Sequence, residues 1–353
     1  MNEGISRQAS VADVARAAGV AKATAARVLG GYGIVSAKTR AAVEAAADRL
    51  GYRPNELARS MTTGRTGTVG VVVGDIGNPF FSLAVRGISD RLKEAGFGVI
   101  LANSGENVDE ERAAIRRLLA WRVDGIIVSP ASVIDVDHIA EAIATGVAVT
   151  LLDRRADGLA ADSATTDDTA AAAGLTEALI RRGHRRLAYV TSSEPEGGRF
   201  LGPQSIGTGA VRKRIEAFLA TAARLLPDPG AAQVITGAKD QAATAALIRA
   251  AMEGPCPPDA IIASDSLVGI FIFRILRDLG LAVGRDVSLV TFYDADWAEV
   301  TDPPVTVVRQ PALDMGSAAA QLLVERLVSP ALPPRHVAIP TELIWRASVG
   351  DRP

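Results

Sequence analysis

The sequence predicts an all-α head of helix-turn-helix type, followed by an α/β body of two doubly wound parallel-sheet lobes. In residues 11–29, two short apolar-periodic helices are separated by Gly19, which can adopt the positive φ of a tight turn. From residue 68, apolar runs of strand length alternate with helical stretches, as expected of βαβ units. This alternation occurs in two successive series along the chain, so two lobes are predicted.

Composition places the chain among helix-rich globular proteins. It has 353 residues, of which 48% are hydrophobic and 22% charged. Because Cys256 is the single cysteine, no intrachain disulfide or cysteine metal cluster can form, and we expect neither a metal nor a cofactor. No apolar run approaches the ~20 residues that cross a bilayer, and the N-terminus lacks a signal-peptide profile. We therefore expect a cytoplasmic, nucleoid-associated protein without membrane contact.

The charge is distributed unevenly along the chain. Residues 1–66 carry ten Lys/Arg and five Asp/Glu, whereas the remainder carries 28 basic and 35 acidic residues. A nucleic-acid backbone attracts the first segment and repels the second. The charge pattern therefore favours nucleic-acid contact through the head alone.

The second helix of the head carries the candidate base-contacting side chains. The apolar pattern turns Val14, Ala15 and Val28 inward and leaves another set outward near the start of this helix. Arginine can donate two hydrogen bonds to a guanine edge. Any two-helix hairpin could show the same spacing, so the pattern alone leaves that alternative open. The outward residues are Lys22, Ala23, Thr24 and Arg27.

The segment VADVARAAGVAKATAARVLG, followed by VSAKTRAAVEAAADRLGYRPNELARSMTTGRT, resembles the head of the LacI/GalR (lactose-repressor) family. The resemblance extends over the whole chain and implies a helix-turn-helix DNA-binding domain at 8–54. Ala21, Ala26 and Gly30 replace the serine, serine and asparagine usual in the family. Loss of a serine N-cap typically costs ~1 kcal/mol, so the second helix is expected to be less stable before it binds DNA.

The resemblance also implies a hinge helix and linker at 55–66. Asn55 would cap this helix, and Met61 stands where related repressors insert a leucine into the minor groove at the operator centre. Arg59 is a further expected DNA contact. A helix of about two turns is marginal in water, so it is expected to order against a partner copy and DNA. The alternative is that Met61 packs against the core.

The body, 67–353, resembles a periplasmic-binding-protein-like, ribose-binder-type sensor core. The expected N-lobe comprises about 67–167 plus 311–331, and the expected C-lobe about 168–309 plus 335–350. In such sheets ligands bind beyond the carboxyl ends of the strands. Polar residues follow the apolar runs at these points, namely Asp75, Asn78, Asp153, Arg154, Ser264, Asp265 and Asp294.

Further effector contacts are implied by the resemblance. Phe80 or Phe81 would stack on a sugar ring, and Arg214 matches the family's ligand-binding arginine. Gln310 matches a glutamine of ribose binders. Ser264 and Tyr293 replace an asparagine and an acidic residue. The ligand is therefore expected either to have fewer hydroxyls to satisfy or to place an anionic or more apolar group near Tyr293, and the sequence leaves both open. Each of these side chains could instead be an exposed loop residue.

A glycine-rich stretch, 197–209, is longer than the usual connection between a strand and a helix. It is interpreted either as a lid over the ligand or as a tolerated surface insertion. The sequence leaves both open.

Together these features predict a homodimeric or higher-order repressor of a sugar or polyol operon. A monosaccharide-like effector would release it from palindromic double-stranded operator DNA. The alternative is a co-repressor-dependent or dual regulator that senses a nucleobase or sugar phosphate. A Rossmann-type enzyme is disfavoured because no G-x-G-x-x-G or Walker motif is present and His138, His184 and His336 are scattered. A secreted sugar-binding protein is disfavoured by the attached head.

Overall fold

The computed structural model describes residues 9–30, 32–53 and 65–352. The chain divides into two compact units, a head (Met1–Gly67) and a body (Thr68–Pro353). Among the described residues, no helix has the length and apolarity needed to span a bilayer.

The described part of the head contains α1 (Val11–Ala18), α2 (Lys22–Leu29) and α3 (Ala37–Arg49). Ser10 and Asp13 form a reciprocal capping box at the start of α1. Gly19 ends this helix with φ 66°, a left-handed conformation that costs glycine little. The sharp turn brings α2 against α1 and α3, where small apolar side chains form one core, including Val14, Ala25, Val28, Val43 and Ala46.

The body begins with a βα series. Its elements are β1 (Thr68–Val73), α4 (Pro79–Glu94), β2 (Gly98–Asn103), α5 (Val108–Ala120), β3 (Gly125–Val128), α6 (Asp137–Ala144), β4 (Ala148–Leu152) and β5 (Asp162–Thr166). A second series follows, with α7 (Asp168–Arg181), β6 (Leu187–Val190), α8 (Gly209–Leu225), β7 (Ala232–Ile235), α9 (Gln241–Glu253), β8 (Ala260–Ala263), α10 (Ser266–Asp278), β9 (Ser288–Phe292), α11 (Asp296–Val300) and β10 (Thr306–Arg309). The chain closes with α12 (Ala312–Val328), β11 (His336–Ile339) and β12 (Glu342–Ile344).

These strands form two six-stranded sheets. The N-lobe sheet has the order β11-β5-β4-β3-β1-β2, and every pairing in it is parallel. The C-lobe sheet has the order β12-β10-β9-β8-β6-β7 and is parallel except for the antiparallel pair β10–β12. The strands β1, β3, β8 and β9 are almost wholly buried, as expected for parallel sheets covered on both faces. The two lobes therefore match the predicted fold class.

The C-terminal segment does not follow the expected boundary between the lobes. Residues 335–350 were expected to belong to the C-lobe, but β11 pairs with β5 and extends the N-lobe sheet, while β12 joins the C-lobe sheet. Asp162, at the start of β5, explains this position because it binds Arg326 and Arg335 on either side of the connection to β11. Burial alone would raise the pKa of Asp162, but the hydrogen bonds from these arginines outweigh burial and lower it.

The chain crosses between the lobes near 167, 310 and 340. Asp167 joins two of these crossings, since its Oδ1 accepts hydrogen bonds from the backbone N (2.9 Å) and Oγ1 (2.8 Å) of Thr341. Three adjacent crossings form the hinge between the two sheets, whose strand carboxyl ends face a shared cleft.

Helices α4 and α12 pack unusually closely in the N-lobe. A Cβ at Gly316 would lie 1.9 Å from the carbonyl oxygen of Ala84, and a Cβ at Gly87 would lie 2.1 Å from that of Leu313. The backbones approach within this distance because both positions are glycine. This contact fixes α4, whose first residues border the cleft.

Candidate DNA-contacting helix and ligand cleft

Helix α2 presents a polar surface at its start. Lys22, Ala23 and Arg27 are exposed and Thr24 is half-buried, whereas Ala25 and Val28 face the core. Ala21 precedes the helix without a side-chain cap, which agrees with the loss of the usual serine. The outward side chains are therefore free to meet a nucleic-acid groove. Asn55, Arg59 and Met61, the expected hinge contacts, lie outside the described residues.

A cleft of about 680 Å³ lies between the carboxyl ends of the two sheets. The structure brings every predicted effector-contacting side chain to its wall. These are Asp75, Asn78, Phe80, Phe81, Asp153, Arg154, Arg214, Ser264, Tyr293 and Gln310. Their convergence follows from the topology, since all but Arg214 follow strands whose carboxyl ends meet here.

Arg154 is the cationic group of the N-lobe wall. Its guanidinium forms two hydrogen bonds with Glu106, of 2.6 and 2.8 Å, and donates a third to the carbonyl of Pro130 at 2.7 Å. It also lies over the ring of Phe81, 5.8 Å from the centroid. Burial would lower the pKa of Arg154, but the Glu106 carboxylate outweighs burial and raises it. Arg154 is therefore held in place and its charge is compensated by Glu106, while its buried Nε has no hydrogen-bond partner among the described residues.

Asp153 is the buried acceptor beside this pair. It adopts φ 64°, a strained conformation for a residue with a side chain. Its Oδ2 lies 3.4 Å from Nε of Arg154, and its Oδ1 has no hydrogen-bond partner among the described residues. Burial raises the pKa of Asp153 to about 6, against the opposing effect of Arg154. A ligand hydroxyl that donates to Oδ1 would satisfy this buried acceptor.

Arg214, on α8, is the matching cation of the C-lobe wall. Its Nε donates to Oδ1 of Asp168 at 2.7 Å, and its Nη1 donates to the carbonyl of Ser264 at 3.1 Å. The guanidinium also lies 4.2 Å from the centroid of the Phe292 ring. Burial would lower the pKa of Arg214, but Asp168 outweighs burial and raises it. Arg214 borders the cleft, yet part of its donor capacity is committed to the protein.

The aromatic residues expected to stack on a ligand are mostly enclosed. Phe80 and Phe81 are 6% and 3% exposed and pack edge to face, 5.2 Å apart. Tyr293, in a left-handed conformation with φ 70°, packs edge-on against Phe80 across the cleft. Little phenyl surface therefore remains for stacking. Phe271 of α10, which the sequence did not indicate, is half-buried and borders the cleft.

Two predicted polar residues are engaged locally. The Asn78 amide oxygen accepts from the backbone N of Phe80 and caps α4, and Oδ1 of Asp75 accepts from the backbone N of Gly77. Asp294, although it follows β9, instead binds Arg309 and Arg346. Its position after a strand therefore did not place it in the cleft.

The long segment before α8 forms part of the cleft wall. Its ends pair in a short antiparallel bridge between Pro195 and Ile206, and Glu196 and Thr208 border the cleft. The carbonyl of Gly207 accepts a hydrogen bond from the backbone N of Val133, in the opposite lobe, at 2.9 Å. The segment therefore contacts both lobes at the edge of the cleft.

Other polar cleft residues were missed by the sequence interpretation. Glu106 follows β2, so the rule that selected Asp75 and Asp153 would have found it. Ser132, Glu194, Lys239 and Asp240 follow strands in the same way. Phe271 carried no such indication because it lies within a helix.

Comparison with known proteins identifies both parts of the chain. Residues 10–55 match the family of bacterial regulatory proteins of lacI type, and residues 176–349 match the periplasmic binding protein-like domain. The regulator PtxS of Pseudomonas plecoglossicida is 30% identical over 347 residues, which cover 97% of this chain and 96% of that protein. The regulator RegA of Clostridium saccharobutylicum is 31% identical over 346 residues, covering 96% of this chain and 98% of that protein.

Solved structures show the same architecture. The Lac repressor dimer bound to operator and the anti-inducer ONPF has a TM-score of 0.82 at 24% identity, covering 97% of this chain and 99% of that one. The complex of the regulator CelR with cellobiose has a TM-score of 0.66 at 29% identity, covering 97% of this chain and 100% of that one. The chain therefore belongs to the LacI family and is a DNA-binding, repressor-like transcription regulator rather than an enzyme.

Proposed function

We propose that the protein is a homodimeric repressor of genes for sugar or polyol use, released from a palindromic operator when a small carbohydrate fills its cleft. The observation that carries this proposal is the convergence of the predicted polar side chains on one cleft between two hinged lobes. A ligand held by both walls stabilises one relative arrangement of the lobes, which is how binding can shift a two-state equilibrium.

The chemistry of the cleft suits hydroxyl groups. Asp153 offers an unpartnered acceptor, and Gln310 an amide with both donors and an acceptor. Ser264 offers a hydroxyl oxygen as an acceptor, since its proton is donated to Asp265. Among relatives, CelR has been solved with cellobiose and a LacI-family regulator of Enterococcus faecium with ribose. Both observations support a carbohydrate effector.

The head supplies the proposed operator contacts. Lys22, Thr24 and Arg27 of α2 would meet base edges and phosphates in the major groove. The segment 55–66, with Asn55, Arg59 and Met61, would bind the minor groove at the operator centre. A two-fold dimer places two copies of α2 on two half-sites, which requires a palindromic sequence.

A gel-shift titration tests the proposal. Full-length protein is incubated with fragments from its own genome, and each retarded fragment is titrated with pentoses, hexoses, disaccharides and polyols. We expect retention of a few palindromic fragments and release by one carbohydrate. Release by none of these ligands would contradict the sensor role, and tighter retention would assign a co-repressor instead.

A further inference from the structure

The cleft has an unusual charge balance. Among the described residues, seven carboxylates border the cleft, compared with three cationic side chains. The cations are Arg154, Arg214 and Lys239. A ligand that carries a phosphate or carboxylate needs an available cation or a cluster of N–H donors once it leaves water. The positive charge that the cleft can offer therefore depends on those three side chains. Its backbone N–H donors include the start of α8, which borders the cleft and where Thr208 makes no side-chain cap.

Each cation already has a carboxylate of its own. Arg154 is held by Glu106 through two hydrogen bonds of 2.6 and 2.8 Å, and Arg214 by Asp168 through an ion pair of 2.6 Å. Lys239 lies 3.4 Å from Glu194 on the exposed rim. Both arginines are buried and fixed by further bonds to backbone carbonyls. The positive charge of the cleft is thus neutralised before any ligand arrives.

The remaining carboxylates leave an acceptor-rich wall. Asp153, 5% exposed, has an unpartnered Oδ1, and burial raises its pKa to about 6, so it is ionised at neutral pH. Glu196, Asp75 and Asp240 border the same space without an ion pair among the described residues. An anion would lie beside these groups, whereas hydroxyl donors would satisfy them.

We propose that the effector is a neutral polyhydroxylated molecule, and that Glu106 is a specificity determinant that excludes phosphorylated and carboxylate-bearing counterparts by occupying Arg154. This inference rests on the proposed carbohydrate-sensing function and narrows its ligand class. It excludes sugar phosphates and sugar acids as effectors of the parent protein.

Matched ligand pairs test the charge selection. Binding to full-length protein is measured by calorimetry at pH 7.5 for ribose and ribose 5-phosphate, for glucose, glucose 6-phosphate and gluconate, and for cellobiose and cellobionate. We expect at least one neutral member to bind, with its anionic counterpart at least ~30-fold weaker. Equal or tighter binding of the anionic member overturns the inference but leaves the sensor function intact.

Substitutions then test whether the pairing of these cations with carboxylates causes the preference for neutral ligands. Glu106→Gln keeps the shape of the side chain but removes its charge, so the charge of Arg154 becomes available to a ligand. The ratio of neutral-ligand affinity to anionic-ligand affinity, here called the affinity gap, should then narrow by about tenfold. Glu194→Gln, on the exposed rim, should release Lys239 and narrow the gap by a smaller factor. Glu141→Gln, on an exposed face of α6 outside the cleft, is the matched control and should leave the gap unchanged.

The outcomes separate the inference from the proposed function. The melting temperature checks that Glu106→Gln is folded. If the affinity gap between neutral and anionic ligands is unchanged in the folded variant, Glu106 does not determine ligand charge. A gap that narrows equally in Glu141→Gln shows a general charge effect and also overturns the assignment. If no ligand of either class binds while operator fragments are still retained, the carbohydrate-sensing proposal itself fails and the inference with it.

Discussion

At the scale of single residues, Arg214 and Asp168 make a buried ion pair whose two members depend on each other. Their side chains are 5% and 2% exposed. We expect Arg214→Ala to lower the free energy of unfolding by ~3 kcal/mol, since Asp168 is left as a buried, uncompensated charge. Effector affinity should fall ~30- to 1000-fold, because a charge-assisted donor is also lost.

Urea denaturation and calorimetry measure both effects. Arg224→Ala serves as control, because Arg224 lies on the same helix with 60% of its side chain exposed and should change stability by less than ~0.5 kcal/mol. The double variant Arg214→Ala/Asp168→Ala should recover part of the stability but no effector affinity. Parental affinity in Arg214→Ala would show that this arginine makes no ligand contact.

Asp153 gives effector binding a dependence on pH. Burial, opposed by Arg154, raises its pKa from 3.8 to about 6. A hydroxyl donates more strongly to the ionised carboxylate, so affinity should be constant above about pH 7 and fall below pH 6 by at most tenfold per unit. Calorimetry from pH 5 to 8 measures this. Asp153→Asn should bind more weakly with a flat profile, and a slope that survives in Asp153→Asn would assign the titration to another group.

The same shift has the opposite sign for folding. Because the folded-state pKa of Asp153 is raised, protonation stabilises the fold. This contribution is fully present below the unfolded value near 3.8 and is lost as the pH rises through about 6. The ionised form that binds the effector best is therefore the one that stabilises the empty protein least.

Residues that border the cleft could be predicted from the sequence, but the ion-pair partners of those residues could not. Asp153 and Ser264 could be placed because parallel strands share one edge, a rule that needs only the order of strands and helices. The pairing of Arg154 with Glu106 joins residues 48 positions apart and depends on the lateral order β4-β3-β1-β2, which the sequence does not state. Phe271 could not be found because it lies within α10, where the rule for residues that follow a strand gives no indication.

At the scale of helices, α2 begins without a side-chain cap. Ala21 occupies the N-cap position with extended backbone (ψ 146°), so a serine there could accept a hydrogen bond from a backbone N–H of the first turn. We expect Ala21→Ser to stabilise α2 by ~1 kcal/mol. Hydrogen exchange of the amides in 22–29 should slow about fivefold, with α3, already capped by Ser36, unchanged. Equal exchange in both proteins would show that α2 opens together with the whole head.

The contact between α4 and α12 tolerates no side chain at its glycines. Gly316→Ala would place a Cβ 1.9 Å from the carbonyl oxygen of Ala84, so the helices must separate. We expect a loss of ~1 to 3 kcal/mol from overpacking, measured by thermal and urea unfolding. Gly174→Ala in α7 is the control, because its added Cβ meets nothing within 4 Å and alanine should gain up to ~1 kcal/mol of helix propensity. A stabilised Gly316→Ala would contradict the close packing.

The element that the sequence placed in the wrong lobe is β11. Both strands are short, β11 mostly exposed and β12 mostly half-buried, with apolar patterns too brief to show which sheet they complete. The position of β11 beside β5 is instead fixed by a tertiary interaction between distant segments. Asp162 binds one arginine in α12 and another just before β11. Edge strands of this kind are assigned by their neighbours rather than by their own sequence.

At the scale of the whole molecule, the proposed coupling between ligand and DNA requires two lobes that move about a few residues. The crossings near 167, 310 and 340 provide this hinge, and Gln310 places one crossing directly at the cleft wall. The Val133–Gly207 hydrogen bond and the Phe80–Tyr293 contact also join the two lobes. A ligand that alters these contacts changes the arrangement of the body to which the head is attached.

The division of charge between head and body predicts how operator binding responds to substitution and salt. The ten basic residues of 1–66 supply a general attraction to phosphates, whereas Arg27 on exposed α2 is the proposed base contact. We expect Arg27→Ala to weaken operator binding by ~1 to 3 kcal/mol, with a much smaller loss on random duplex, since the base contact is lost at both half-sites of a dimer. Gel shifts on operator and random duplex at 50 to 200 mM salt measure the two losses.

Arg16→Ala, which removes an exposed arginine of α1 paired with Asp13, is the matched control and should weaken binding to both duplexes by a similar, smaller factor. Equal losses on both duplexes for Arg27→Ala would mean that Arg27 contacts the phosphate backbone, and base recognition would then fall to Lys22 and Thr24.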